Sequence, residues 1–179
     1  MQFKSLAFAA AVATTAAAIE DGVPFGITAA ASGTEVNSLA MQAAEERLWF
    51  NHGQNASCDK KTPDAAQFTL TQGRLYLYST SATPQQVWVD PSAQGQGVFG
   101  YNTGAQPLPS GAQAAKFAVN ADGKLQFGGK DMMACKLDGQ NYGIWIGGFD
   151  NPDCIQFKAQ TQEAAEPNSC SYTQKQKAE

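Results

Sequence analysis

Apolar and polar residues alternate along most of the chain after residue 66, which is the pattern of strands that bury one face. Residues 68–78 show it most simply. Phenylalanine and leucine alternate with threonine, the pair Gln72 and Gly73 supplies a turn, and leucine then alternates with tyrosine. This pattern predicts a β-hairpin.

The same alternation, broken by turn residues every 8–12 positions, predicts about ten short antiparallel strands. No helix pattern follows residue 50. We therefore expect an all-β domain, a β-sandwich or barrel. The predicted strands cover residues 23–28, 68–71, 74–78, 87–89, 98–101, 116–119, 124–127, 133–137, 142–146 and 154–158.

One segment, residues 37–50, carries two conflicting signals. Ser38 is a suitable helix cap and several residues up to Glu46 favour a helix, yet Leu48 and Phe50 alternate as in a strand. We interpret this segment as two strands around a turn at residues 42–46.

The first 18 residues have the features of a secretory signal peptide. Lys4 provides a positive start, residues 6–13 form an apolar run too short to span a bilayer, and small residues at 16–18 suit a cleavage site. The secreted chain would then begin at Ile19 and run to residue 179 as a single β domain, with a loosely ordered tail from about residue 161.

Composition limits the partners of such a chain. Hydrophobic residues make up 43% of the sequence and charged residues only 16%, with a formal net charge of −4. A weakly acidic surface does not attract nucleic acid or anionic lipid. We therefore expect neither a nucleic-acid partner nor a membrane partner.

Four cysteines follow the predicted leader, and in an exported chain an even number of cysteines indicates disulfides. Three pairings are available. The spacing favours Cys135 with Cys154 and Cys58 with Cys170. A metal site would need closer cysteine spacing, and the single histidine lies far from three of the four, so no metal is expected.

Catalytic signals are weak. His52 is the only histidine, and we interpret it as an exposed loop residue. Three pairs of acidic residues have spacings that a glycosidase could use, but nearby loop acids reach such spacings by chance. We expect no enzymatic activity and no cofactor, with a carboxylate-pair hydrolase as the remote alternative. The pairs are Glu45 with Glu46, Asp150 with Asp153, and Glu163 with Glu166.

Two surface features remain. Asn55 begins an N-glycosylation sequon in a polar loop, so we predict a glycoprotein. Among the aromatic residues, Trp88 and Tyr76 fall opposite their apolar neighbours, and with Tyr78 they are the predicted carbohydrate contacts. Strand aromatics more often belong to a core than to a binding surface.

Several short motifs occur in an order that resembles the PhiA family of fungal cell-wall proteins. They are TLTQGRLYLY at 69–78, VWVD at 87–90, GQGVFGYNTGAQP at 95–107, FAVNADGKLQF at 117–127, and the closing CSYT at 170–173. The resemblance implies a non-enzymatic, secreted, wall-associated protein linked to phialide development and conidiation. Glucan, chitin or other wall proteins would be its partners.

A more distant resemblance is to the four-cysteine C-terminal domain of Pir-type wall proteins, in which one long gap between cysteines precedes two short ones. Here the gaps are 76, 18 and 15 residues. The chain lacks the glutamine-containing repeats through which Pir proteins attach to glucan. The rival interpretation from another class is a secreted lectin-like module or an effector.

Overall fold

A computed structural model describes residues 19–81, 83–148 and 151–175 of the 179-residue chain. The predicted signal peptide, residues 1–18, lies outside these residues. Within them the regular structure consists of fourteen strands and no helix. The strands are β1 (Phe25–Ala30), β2 (Gln42–Ala44), β3 (Arg47–Phe50), β4 (Ala56–Cys58), β5 (Gln67–Thr71), β6 (Arg74–Leu77), β7 (Gln85–Asp90), β8 (Val98–Thr103), β9 (Phe117–Val119), β10 (Lys124–Phe127), β11 (Met132–Asp138), β12 (Asn141–Ile146), β13 (Cys154–Glu163) and β14 (Cys170–Tyr172).

Nine antiparallel strands form a closed ring in the order β1-β5-β6-β7-β8-β3-β12-β11-β13. The ring closes because β13 pairs with β1 along six residue pairs, from Phe25 opposite Glu163 to Ala30 opposite Lys158. The hairpin of β9 and β10 extends from β13, β2 pairs with β3, and β4 pairs with β14. The all-β prediction is confirmed, and the architecture is the barrel rather than the sandwich.

Four strands lie outside the ten predicted ranges: β2, β3, β4 and β14. Three of them, β2, β4 and β14, contain only three residues each. A three-residue strand shows too little alternation to separate it from a loop. The ambiguous segment contains two strands around a turn, as expected, but the predicted turn at residues 42–46 is too long. Residues 42–44 form β2, and only Glu45 and Glu46 make the turn to β3. Both turn residues adopt positive φ, 53° and 62°, as a type I′ hairpin turn requires.

The inward side chains form one hydrophobic core. On β5, β6 and β7 the buried residues alternate with half-buried ones, as the sequence pattern predicts. Phe50 of β3 meets Phe157 of β13 edge to face, with ring centroids 5.0 Å apart, although the two strands are not neighbours in the ring. Contacts of this kind show that side chains fill the barrel interior.

Two disulfides join residues that lie directly opposite each other in antiparallel pairs. Cys58 of β4 bonds to Cys170 of β14, and Cys135 of β11 bonds to Cys154 of β13. The Cα atoms are 4.0 Å apart in both. This is the pairing that the cysteine spacing favours. The first disulfide closes a separation of 112 residues and the second closes one of 19.

The C-terminal segment differs from the loosely ordered tail expected from about residue 161. Residues 161–163 complete β13, and β14 places Cys170 and Tyr172 in the core. The side chain of Gln85, which is only 2% exposed, bonds to both backbone polar groups of Tyr172, as a paired strand would. Its Nε2 donates to the Tyr172 carbonyl at 2.9 Å, and its Oε1 accepts from the Tyr172 amide at 2.7 Å.

Two buried tyrosines complete this attachment. The Tyr101 hydroxyl donates to the Thr173 carbonyl, and the Tyr172 hydroxyl accepts from the Gln67 amide at 3.2 Å. These partners belong to the end of β8 and the start of β5, which lie at one end of an antiparallel barrel. The β4–β14 pair therefore covers that end. Burial raises the pKa of both tyrosines above the usual value of 10.

The two disulfides are expected to contribute unequally to stability. In the chain-entropy model a long closed loop is worth about 4.7 kcal/mol and a short one about 3 kcal/mol. We expect the double variant Cys58→Ser/Cys170→Ser to lose more stability than Cys135→Ser/Cys154→Ser, as measured by the guanidinium midpoint. Equal losses, or a larger loss for the second variant, would contradict this order.

Alkaline pH is expected to destabilise the fold through Tyr101 and Tyr172. Their folded pKa values are raised, so the unfolded chain releases these phenolic protons first, from about pH 10. Stability should be intact below pH 10 and fall as the pH rises above it. Denaturant midpoints at pH 8 and pH 11 measure the fall, and Tyr101→Phe should reduce it. A midpoint that is the same at both pH values would refute this prediction.

Candidate functional site

The predicted carbohydrate contacts lie on or beside the outer face of the barrel. Tyr76 of β6 and Trp88 of β7 alternate with buried core residues and are themselves half-buried. Tyr76 lies opposite Gln86, two residues before Trp88, so the two aromatic side chains are diagonal neighbours. Tyr78 follows the end of β6 and is half-buried, and its carbonyl accepts a hydrogen bond from the Cys170 amide at 3.2 Å.

Trp88 is held by a glycine on the next strand. It lies opposite Gly100 of β8, and a Cβ on that glycine would fall 2.3 Å from the Cζ2 atom of the Trp88 ring. Its indole nitrogen is buried without a partner among the described residues, as are Gln86 Nε2 and Asn102 Oδ1 beside it. Trp88 can therefore offer a ligand its ring but not its N–H group.

Trp145 has an equivalent arrangement on the same outer surface. It lies on β12, and its ring covers Gly143 two residues earlier, with Cζ3 2.6 Å from where a Cβ would be. The Arg47 guanidinium lies 5.9 Å from the ring centroid, within cation–π range. Arg47 is also opposite Gly100, so it stands between the two tryptophans.

A groove of about 490 Å³ opens beside Trp145, and we call it the Trp145 groove. Its size lies in the range of small-molecule sites. Leu137, 47% exposed, is the most exposed large hydrophobic residue of the described chain and lies at this groove. The lining combines apolar, neutral polar and charged groups: Gln96, Met133, Cys135, Lys136, Leu137, Trp145, Asn151, Pro152, Asp153 and Cys154.

The rim of the Trp145 groove is fixed by local bonds. Asn151 Oδ1 accepts from the Asp153 amide at 3.0 Å, and the Asn151 carbonyl accepts from the Cys154 amide at 3.1 Å. The Cys135–Cys154 disulfide then joins this turn to β11. These bonds and the disulfide hold this wall of the groove in place.

The residues considered for catalysis lie, where the structure describes them, in separate turns, loops and strand ends. The ring of His52 stacks on Trp49, with centroids 4.3 Å apart, and its Nδ1 lies 3.3 Å from the Gly53 carbonyl. It is half-buried rather than fully exposed as expected. Glu45 and Glu46 form the β2–β3 turn, Glu163 ends β13 and Glu166 lies in the loop that follows. Asp150 lies outside the described residues.

Among residues 19–81, 83–148 and 151–175, no group of three His, Cys, Asp or Glu side chains is arranged to hold a metal ion. The same residues include no helix of sufficient length and apolar character to cross a membrane. Asn55 is exposed directly before β4, and its glycosylation stays a prediction.

The sequence pattern does not predict the Trp145 groove, and Trp145 is not among the carbohydrate contacts expected from it. The one local signal is the order Gly143, Ile144, Trp145, which places a glycine and a tryptophan on the same face of a strand. The other walls come from residues 96, 133–137 and 151–154, and strand pairing alone brings these together.

Comparison with known proteins gives a consistent assignment. The family model described as PhiA-like secreted protein matches residues 25–173. The chain is 42% identical to cell wall protein phiA of Aspergillus fumigatus, over 97% of this chain and 100% of that protein. It is 40% identical to cell wall protein phiA of Aspergillus niger, over 97% and 99%. Identity to cell wall protein phiA of Emericella nidulans is 32%, over 97% and 100%.

No solved structure matches the chain. The family match spans the whole barrel, from the first residue of β1 to the residue after β14. The motifs that carry the resemblance therefore belong to one continuous fold. The chain is a member of the PhiA-like family of secreted cell-wall proteins.

Proposed function

We propose that this protein is a non-enzymatic component of the fungal cell wall that binds wall polysaccharide, either glucan or chitin, or other wall proteins. The single observation that carries the proposal is the division of its aromatic residues. Phenylalanines fill the barrel, whereas Trp88, Tyr76 and Trp145 lie on its outer face. Outward aromatic rings on a rigid barrel suit weak stacking contacts with sugar rings.

The rest of the chain supports a binding role. Charged residues are only 16% of the sequence, so the surface is rich in neutral amides and hydroxyls that can hydrogen-bond to sugar hydroxyls. Two disulfides and a closed ring of strands hold the outer face in one geometry. A pre-organised surface loses little entropy when it binds. A role in phialide development and conidiation follows from the resemblance and is part of the proposal.

Retention on insoluble β-1,3-glucan and chitin tests this function with the secreted, oxidised chain. We expect specific retention of the unmodified protein, reduced several-fold in Trp88→Ala and Tyr76→Ala, because each loses a stacking ring. Lys158→Ala is the matched control. Lys158 is exposed on β13, on the opposite side of the ring from β7, and its loss should leave retention unchanged.

The possible outcomes separate the rival functions. Failure of the unmodified protein to be retained on either polymer would contradict polysaccharide binding. Saturable release by one soluble oligosaccharide would favour a lectin-like module over a wall component. Release of new reducing sugar ends from the polymer would show catalysis and overturn the non-enzymatic assignment.

A further inference from the structure

We infer that the Trp145 groove is a saccharide-binding subsite that takes a short segment of neutral polysaccharide, with Trp145 as its stacking platform. The inference rests on the proposed function and assigns its principal contact to a different tryptophan from Trp88. Trp145 lines a groove that has polar groups on its walls, whereas the indole N–H edge of Trp88 is covered.

The orientation of the platform is set by the residues beneath and beside it. Because Gly143 has no side chain, the Trp145 ring can lie down against the barrel wall. Arg47 adds a cationic group 5.9 Å from the ring centroid. A half-buried indole held in this way presents a fixed aromatic surface to the groove, and Leu137 continues the apolar surface at its mouth.

The polar walls favour a neutral, hydroxyl-rich ligand. Gln96 and Asn151 contribute amides, which both donate and accept hydrogen bonds. Lys136 and Asp153 carry opposite charges that offset each other within the lining, and Arg47 adds one positive charge beside the Trp145 ring. A sugar ring combines an apolar C–H face for the indole with hydroxyls for these four side chains.

The groove is also built in advance of binding. On one side the Cys135–Cys154 disulfide fixes the turn that contains Asn151 and Asp153. On the other side Gln96 adopts a positive φ of 49°, unusual for a residue other than glycine. Its amide donates to the Ser92 carbonyl at 2.7 Å, which holds this strained residue at the groove edge.

The two tryptophans are positioned for one extended ligand. Trp88 lies opposite Gly100, and Trp145 lies opposite Val98, two residues away on the same strand. The backbones of the two tryptophans are therefore roughly 12 Å apart, because two strand spacings and two residues along the strand lie between them. Arg47 lies between them. A polysaccharide chain can therefore occupy the Trp145 groove and reach Trp88, so longer oligosaccharides should bind more tightly than short ones.

Calorimetric titration of the secreted chain with soluble β-1,3-gluco-oligosaccharides and chito-oligosaccharides of increasing length tests the subsite. We expect Trp145→Ala to weaken binding of short oligosaccharides by roughly tenfold, the effect of removing a central aromatic contact. Trp145→Phe should retain most of the affinity because it keeps a stacking ring. Trp88→Ala should weaken only the longer oligosaccharides, and Lys158→Ala should weaken none.

The indole N–H resonances of the unmodified protein test the same subsite without relying on a variant that could fail to fold. Short oligosaccharides should shift the indole N–H resonance of Trp145 and leave that of Trp49, which donates to the Ala44 carbonyl at 2.9 Å, in place. Undiminished affinity in a folded Trp145→Ala variant, or a shift confined to Trp88, would overturn this subsite and leave polysaccharide binding intact. No binding of any oligosaccharide or polymer by the unmodified protein would overturn both.

Discussion

Six residue pairs join β1 to β13, and through them the first strand of the barrel meets a strand that begins more than a hundred residues later. Without this pairing the sheet would be open, with two exposed edges able to pair with other chains. Closure removes both edges and encloses the apolar faces of the strands around one core. The outer surface is then free to carry groups that the core cannot hold.

Because the outer face of the barrel is not part of the core, aromatic residues occur both inside and outside the ring of strands. Inside the ring, Phe50 and Phe157 pack against each other across the barrel because both side chains point into the core. Outside it, Trp88 and Trp145 rest on strand glycines, which give each large ring space against the backbone. The same closed sheet therefore produces an apolar interior and a fixed aromatic exterior. The outward rings and the core residues are therefore separate sets of side chains.

The features read correctly from the sequence are local ones. Alternation over residues 68–78 and 116–127 is a property of near neighbours, and the structure contains both hairpins. The docking of the C-terminal strand could not be read in this way. It depends on the bonds between Gln85 and Tyr172, which are 87 positions apart. No local pattern in either segment predicts that contact. The sequence pattern alone therefore predicts a loosely ordered tail there.

The candidate site shows the same limit. The alternation of its strand predicts that Trp145 points outward. It does not predict the residues from other segments that form the groove around it. Gln96 and Asn151 reach Trp145 only through the pairing of β12 with β8 and of β11 with its neighbours. The same alternation predicts outward positions for Trp88 and Tyr76, but it does not indicate which outward ring has polar neighbours.

The disulfide between Cys58 and Cys170 affects how the secreted protein responds to proteolytic cleavage. Most of the loops lie between these two residues, and they are where secreted proteases would cut. A single cut anywhere between residues 58 and 170 leaves one cysteine of this bond on each fragment. The halves stay covalently joined, and the remaining strand pairing can keep a nicked molecule in its native shape until a reducing agent separates them.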